Sequence, residues 1–236
     1  MTGTGLDPEP TSESGKYWRD HVLSWEAGAY YKDRHARPSF WDRTSAIFRG
    51  RAMYVRMDAA LQLVSPYLGG ARVLDIGCGS GRFAFELLAA GAERVIGVDV
   101  APAAIEAANA RREQSPFVER LDFKVMDLTD PDVKLPQVDL ITALGVIEYF
   151  DAPALSALLG KFDTRYFLLD FPDSEGRKRN RLKWYLRKVY LGVNRCPGVY
   201  LYTQDEFRRM AAEHGFGAVW YPHRSGFDYV TNLPQP

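Results

Sequence analysis

The chain has 236 residues, 46% of them hydrophobic, enough for one well-buried α/β domain with an appendage. Thirty basic residues balance thirty acidic ones, so no global charge favours nucleic acid as a partner. Two cysteines, Cys78 and Cys196, are too few for a disulfide framework and point to a reducing, cytoplasmic setting.

Residues 1–15 are rich in Thr, Ser, Gly, Pro and Glu and read as a disordered tail. They hold neither an apolar core nor a basic lead-in, so they do not read as a signal peptide. Residues 16–69 read as a helical cap. Tyr17, Trp18, Val22, Trp25, Tyr30 and Tyr31 form an aromatic stretch without a clean period, and Phe40 to Tyr67 carries apolar positions at helical spacing. Both stretches precede the first core strand, so they are expected to cap a cleft or to pack on the outside of the domain. No apolar run approaches transmembrane length, and there is no internal repeat.

Residues 70–236 read as the core. Arg72 to Ile76 is short, apolar and β-branched, as a buried strand requires. Asp75-Ile76-Gly77-Cys78-Gly79-Ser80-Gly81 then places three glycines at every second position, so the loop can turn sharply and bring its backbone against a ligand. Cys78 stands where only a small side chain fits. Phe83 to Ala90 reads as a helix ended by Gly91, and Arg94 to Val100 as a second strand. Asp99 closes that strand, about twenty residues beyond the loop, where parallel-sheet nucleotide sites place a carboxylate on ribose hydroxyls. The loop lacks both the G-x-G-x-x-G spacing of dinucleotide sites and the lysine of a P-loop. An acid in front of it, Asp75, would repel phosphate and suits a cationic ligand such as a sulfonium amino acid.

The segment Arg72 to Arg112 resembles motif I and the acidic strand end of class I S-adenosylmethionine-dependent methyltransferases, and the resemblance extends more weakly over Phe40 to Tyr229. It implies a doubly wound, mostly parallel seven-stranded sheet of order 3-2-1-4-5-7-6, with N-terminal helices closing over the cofactor. It also implies S-adenosylmethionine as cofactor, on Asp75, Gly77, Cys78, Gly79, Gly81, Asp99 and Val100. Leu121 to Met126 reads as the third strand; by resemblance Asp127 binds the adenine amino group and the Leu128 backbone meets the ring, whereas the following Leu-Thr-Asp-Pro-Asp makes a turn role the alternative. Val138 to Leu144 is the fourth strand, after which Leu144 and Gly145 are implied to present backbone atoms to the methionine part. Tyr149 stands where the family frequently has His.

Asp151 caps a helix running to Phe162, with Pro153 in its first turn. Thr164 to Phe171 is the fifth strand, with Asp170 at the carboxyl edge where open α/β sheets bind ligands. Residues 173–202 read as an inserted helical lid. Within it, 176–191 form a basic amphipathic helix: a solvated lid, an attractor for an anionic acceptor, or a membrane-surface element, the last not favoured. Thr203 to Glu206 is a capping box, and Ala218–Tyr221 with Phe227–Thr231 reads as a closing hairpin joined by His223 to Gly226.

Methyl transfer from a sulfonium requires alignment, exclusion of water and management of one proton. His35, Tyr149 and His223 are the candidates for the proton, and Tyr30, Tyr31, Tyr149, Asp170 and Arg224 for the acceptor. No metal-ligand spacing or nucleophile triad is present. The resulting expectation is O-methylation of a small-molecule acceptor in a biosynthetic pathway. The alternatives are a protein or RNA methyltransferase, for which the Asn/Asp-Pro-Pro-Tyr motif is missing after strand four, and a binding scaffold without turnover.

Overall fold

The computed structural model describes residues 12–29, 53–170, 199–217, 219–224 and 227–235. Expectations for residues 1–11, for Tyr30, Tyr31 and His35, for 40–52 and for the basic helix 176–191 lie outside the described residues.

Helix α1 (Glu13–Ala29) begins three residues inside the expected tail. Ser12 Oγ accepts the Gly15 amide at 2.9 Å, satisfying one of the donors that a helix start leaves unpaired. Residues 53–64 form α2. The sheet and its helices follow: β1 (Arg72–Ile76), α3 (Arg82–Ala89), β2 (Arg94–Asp99), α4 (Pro102–Glu113), β3 (Leu121–Val125), β4 (Val138–Ala143), α5 (Ala152–Gly160), β5 (Thr164–Asp170), α6 (Gln204–Glu213), β6 (His223–Arg224) and β7 (Phe227–Thr231). The strand order is β3-β2-β1-β4-β5-β7-β6, the order that the family resemblance implies. The pairs from β3 to β5 are parallel, and β7 runs antiparallel to both its neighbours.

Alternation along β1 divides the core. Val73 packs with Ala60 and Val64 of α2 and Leu87 of α3 on one face. Leu74 and Ile76 pack with Ile141, Leu155 of α5 and Phe207 of α6 on the other. Connections leaving β1 and β4 go to opposite sides, which opens a crevice at the carboxyl ends of these neighbouring strands. Two caps act where the residues indicate. Asp151 accepts the Ala154 amide, and Thr203 and Glu206 form a reciprocal capping box.

The closing hairpin differs from expectation. Its first strand is His223–Arg224, and Trp220 makes only an isolated bridge to Thr231. Pro222 lies between them; it has no amide hydrogen to give and so interrupts the ladder. Among the described residues, no helix is long and apolar enough to cross a membrane.

Candidate functional site: the glycine-loop cleft

The loop after β1 is held by the end of β2. The amides of Gly77 and Cys78 donate to the Val98 carbonyl at 2.8 and 3.1 Å, and the Gly79 amide donates to Asp99 Oδ2 at 2.9 Å. Gly77, Gly79 and Gly81 have φ values of 66°, 52° and 82°, in the left-handed region. A Cβ on Gly81 would stand 2.6 Å from Phe123 Cζ. Gly81→Ala should therefore destabilise the fold by about 1–3 kcal/mol from backbone strain alone. In thermal unfolding, the midpoint should fall by about 2–4 °C per kcal/mol for a chain of this size. An unchanged midpoint would contradict the geometry.

Two buried carboxylates stand at the loop. Asp99 accepts the Ala101 amide through Oδ1 at 3.0 Å in addition to the Gly79 amide. Burial pushes its pKa up to about 6 against the pull of these amides, and Glu26 adds to the rise. Asp75 Oδ1 accepts the Thr142 hydroxyl from β4 at 2.9 Å, while its Oδ2 is buried with no hydrogen-bond partner. Burial raises Asp75 to about 7, Thr142 opposes the shift, and Asp99 adds to it. Cys78 is buried, and burial pushes its thiol up, with Asp99, Asp75 and Glu26 adding, so it serves as packing and not as a thiolate.

Helix α1 lies across this loop along one face, at intervals of four residues. Trp18 packs edge-on against Tyr149 with ring centroids 4.9 Å apart. Val22 is buried with Ala101 and Ala104 at the start of α4. Glu26 Oε1 accepts the Ser80 amide at 2.8 Å and lies 2.0 Å from where a Cβ on Gly79 would stand. Three segments at the carboxyl edge, after β1, β2 and β4, are thus covered by one helix.

Around the rest of the crevice, Val100 follows Asp99 and is half-buried. The Met126 amide donates to the Asp99 carbonyl at 2.8 Å, so the chain leaves β3 beside β2. Asp127 Oδ1 accepts the Thr129 amide and hydroxyl at 2.9 and 2.6 Å, a local turn that engages this oxygen. Leu128 is buried, and its carbonyl accepts Lys161 Nζ at 3.3 Å. Leu144 and Gly145 leave β4 half-buried, Gly145 with φ of 73°.

A second charged cluster joins the ends of β4 and β5. Arg56 of α2 places Nε 2.7 Å from Asp170 Oδ2, a contact too far off line to count as a hydrogen bond. Burial opposes the charge on Arg56, but Asp170 and Glu148 outweigh it and hold its pKa above the ordinary guanidinium value. Tyr229 of β7, fully buried, donates its hydroxyl to the Arg56 carbonyl at 2.8 Å.

Not all candidates meet here. Asp170 and Tyr149 lie at this edge, but His223 and Arg224 are exposed on β6, four strands from β1, about 19 Å at ordinary strand spacing. His223 Nδ1 is engaged with Asp228 Oδ1 at 2.6 Å. Sequence reasoning missed Glu26, Arg56, Thr142 and Glu148. Only the spacing of Trp18, Val22 and Glu26 could have revealed one of them. Among the described residues, no group of three His, Cys, Asp or Glu could hold a metal ion.

Comparison with known proteins agrees with this geometry. A methyltransferase-domain family model matches residues 73–164, from β1 to the start of β5. The magnesium-protoporphyrin O-methyltransferase of Rhodobacter capsulatus is 30% identical over 147 residues, covering 62% of this chain and 64% of that protein. The ubiquinone biosynthesis O-methyltransferase of Alkalilimnicola ehrlichii is 35% identical over 101 residues, covering 42% of this chain and 39% of that one. The chain therefore spans less than two thirds of the length of either relative. In fold it is similar to magnesium protoporphyrin IX methyltransferase of Synechocystis PCC 6803, a structure with bound S-adenosylhomocysteine, at a TM-score of 0.62 and 20% identity over 91% of this chain and 94% of that one. The glycine loop with its two acids, the strand order and these likenesses agree: residues 73–164 match the methyltransferase domain, and the chain has the fold of the class I S-adenosylmethionine-dependent methyltransferases.

Proposed function

We propose that this protein transfers the methyl group of S-adenosylmethionine to an oxygen atom of a small-molecule acceptor. The observation that carries the donor half is the buried Oδ2 of Asp75, which has no hydrogen-bond partner and lies beside a loop of three left-handed glycines. A buried carboxylate without a partner costs stability, and a cationic ligand would offset that cost. Asp99 would hold the ribose hydroxyls, and Val100, Asp127, Leu128, Leu144 and Gly145 would line the adenine and methionine ends. The relatives that carry O-methyltransferase names support oxygen as the acceptor atom.

When bound, the donor supplies an activated methyl on a sulfonium, so the chemistry needed from the protein is modest. Asp75 pairs with positive charge, Asp99 orients the ribose, and α1 excludes water through Trp18, Val22 and Glu26. Tyr149, packed on Trp18 after β4, would position the acceptor. The domain division follows the same logic: residues 16–69 serve as a cap and 70–236 as the catalytic core.

The test has two stages. S-adenosylhomocysteine should bind in calorimetry. Incubation with isotopically labelled S-adenosylmethionine and a cell-extract metabolite pool should yield a labelled methyl ether or ester by mass spectrometry. Absence of binding removes the donor assignment. Binding with no labelled metabolite leaves a scaffold, and label on protein or RNA alone replaces the acceptor class.

A further inference from the structure

We propose that Arg56 is the acceptor-binding residue and that the acceptor meets it as an oxyanion, a carboxylate or a phenolate. The inference rests on the methyltransferase reading above and names the acceptor chemistry of the same cleft.

The placement comes first. Arg56 extends from α2, with 12% of its side chain exposed, to the carboxyl ends of two strands. Its Nε faces Asp170 at the end of β5, and its Nη1 lies over Gly145 at the end of β4, 2.7 Å from where a Cβ would stand. Gly145 has no side chain to hold the guanidinium away, and its left-handed φ favours glycine. The guanidinium therefore reaches from the acceptor edge towards β1, whose glycine loop receives the donor. The Tyr229 hydroxyl on the Arg56 carbonyl pins the helix from which it extends.

The energetics point to function. A buried arginine with buried acids is seldom a stabilising device, because desolvation offsets most of the attraction and an apolar contact of equal volume holds a helix at least as well. Such a cluster at the carboxyl edge of a doubly wound sheet lies where ligands bind. A guanidinium can only donate hydrogen bonds and stays charged at any working pH, so the ligand atom facing it carries lone pairs and favours negative charge. A protonated amine has no lone pair to offer the guanidinium.

The acids temper the site. Asp170 holds the guanidinium by charge, and Asp170 and Glu148 both oppose an incoming anion. The acceptor oxygen is thereby oriented without being neutralised, so it keeps its nucleophilicity. In the transfer, a lone pair of the oxyanion forms the O–CH3 bond as the S–CH3 bond breaks, and that bonding pair remains on sulfur. The negative charge on oxygen and the positive charge on sulfur disappear together. No proton moves in this step, so a tyrosine at position 149 suffices where a basic histidine would otherwise be wanted.

The experiment uses the full chain saturated with S-adenosylhomocysteine and 4-nitrophenol as an optical probe. The bound probe should ionise at lower pH than the free one, and benzoate should compete with it. A tighter benzoate marks a carboxylate acceptor, and a tighter nitrophenolate a phenolate. Nitrobenzene and benzylamine should bind at least tenfold more weakly. Arg56→Gln should abolish the ionisation shift and weaken both anions at least tenfold, with affinity for S-adenosylhomocysteine changed less than twofold. Arg56→Lys retains the charge beside Asp170 but loses the planar fork, and should weaken the anions about fivefold at an unchanged unfolding midpoint. If Arg56→Gln does not fold, the lysine variant decides. Anion binding equal to the parent in the folded variants, no anion binding in the parent, or preference for nitrobenzene or benzylamine overturns the inference. Failure to bind S-adenosylhomocysteine would instead overturn the donor reading.

Discussion

Asp99→Ala should weaken S-adenosylhomocysteine binding at least tenfold. Charge-assisted hydrogen bonds to the ribose are worth about 1.5–3 kcal/mol, and each 1.4 kcal/mol is a factor of ten. The structure adds a second cause. The carboxylate also receives the amides of Gly79 and Ala101, so its removal strands two backbone donors and loosens the loop before any ligand arrives. Asp99→Asn keeps an oxygen acceptor but loses the charge, and should fall between parent and alanine variant. Calorimetry on the three proteins orders them; equal affinities would remove Asp99 from the site. Asp127→Ala should cost less, since a single hydrogen bond from the adenine amino group is at stake.

Asp75→Asn should separate stability from binding. The folded pKa of Asp75, about 7, lies above its ordinary value of 3.8. Between these values the folded state binds more protons than the unfolded one, so this group's contribution lowers stability as pH rises from about 4 to about 7. At about 1.4 kcal/mol per unit, the loss is on the order of 4 kcal/mol for this group. Asparagine retains the Thr142 partner and removes the charge. The free variant should therefore unfold at higher temperature than the parent at pH 8, on the order of 8–16 °C, with little difference near pH 4. Its affinity for the cationic donor should fall, because the carboxylate that would pair with positive charge is gone. In the parent, donor binding near pH 6.5 should release a proton from Asp75, visible as a buffer-dependent binding heat. Parallel pH–midpoint curves for parent and variant would remove the assignment of Asp75 as a buried, elevated acid.

Much of the fold is written in local chemistry. Arg72 to Ile76 and Val138 to Ala143 are apolar runs too short for helices, bounded by turn residues, and each is a strand of the sheet. Asp151 and Thr203 cap their helices with hydrogen bonds spanning three residues. The left-handed conformations of Gly77, Gly79 and Gly81 likewise belong to the loop itself. Such features depend on neighbours a few positions away, so spacing and residue type suffice. The start of α1 was available in the same way, through Ser12, but a polar tail composition masked it.

Other features depend on partners far along the chain. Glu26 looks like an ordinary surface acid until α1 brings it to Ser80, 54 positions away. Arg56 sits between Val55 and Met57 in an apolar helix and reads as its solvent face, yet only 12% of its side chain is exposed and it lies against Asp170. Thr142 becomes the partner of Asp75 only because β1 and β4 lie side by side in register. The candidates on β6, His223 and Arg224, came from their position in a loop near the end of the chain, but the antiparallel return of β7 and Pro222 set them at the outer edge of the sheet. Local patterns determine which residues form the loop, the strands and the caps, because backbone conformation follows from near neighbours. Which charges meet in the cleft is decided by strand order and helix docking, because burial and pairing across the sheet exist only once the layers have come together.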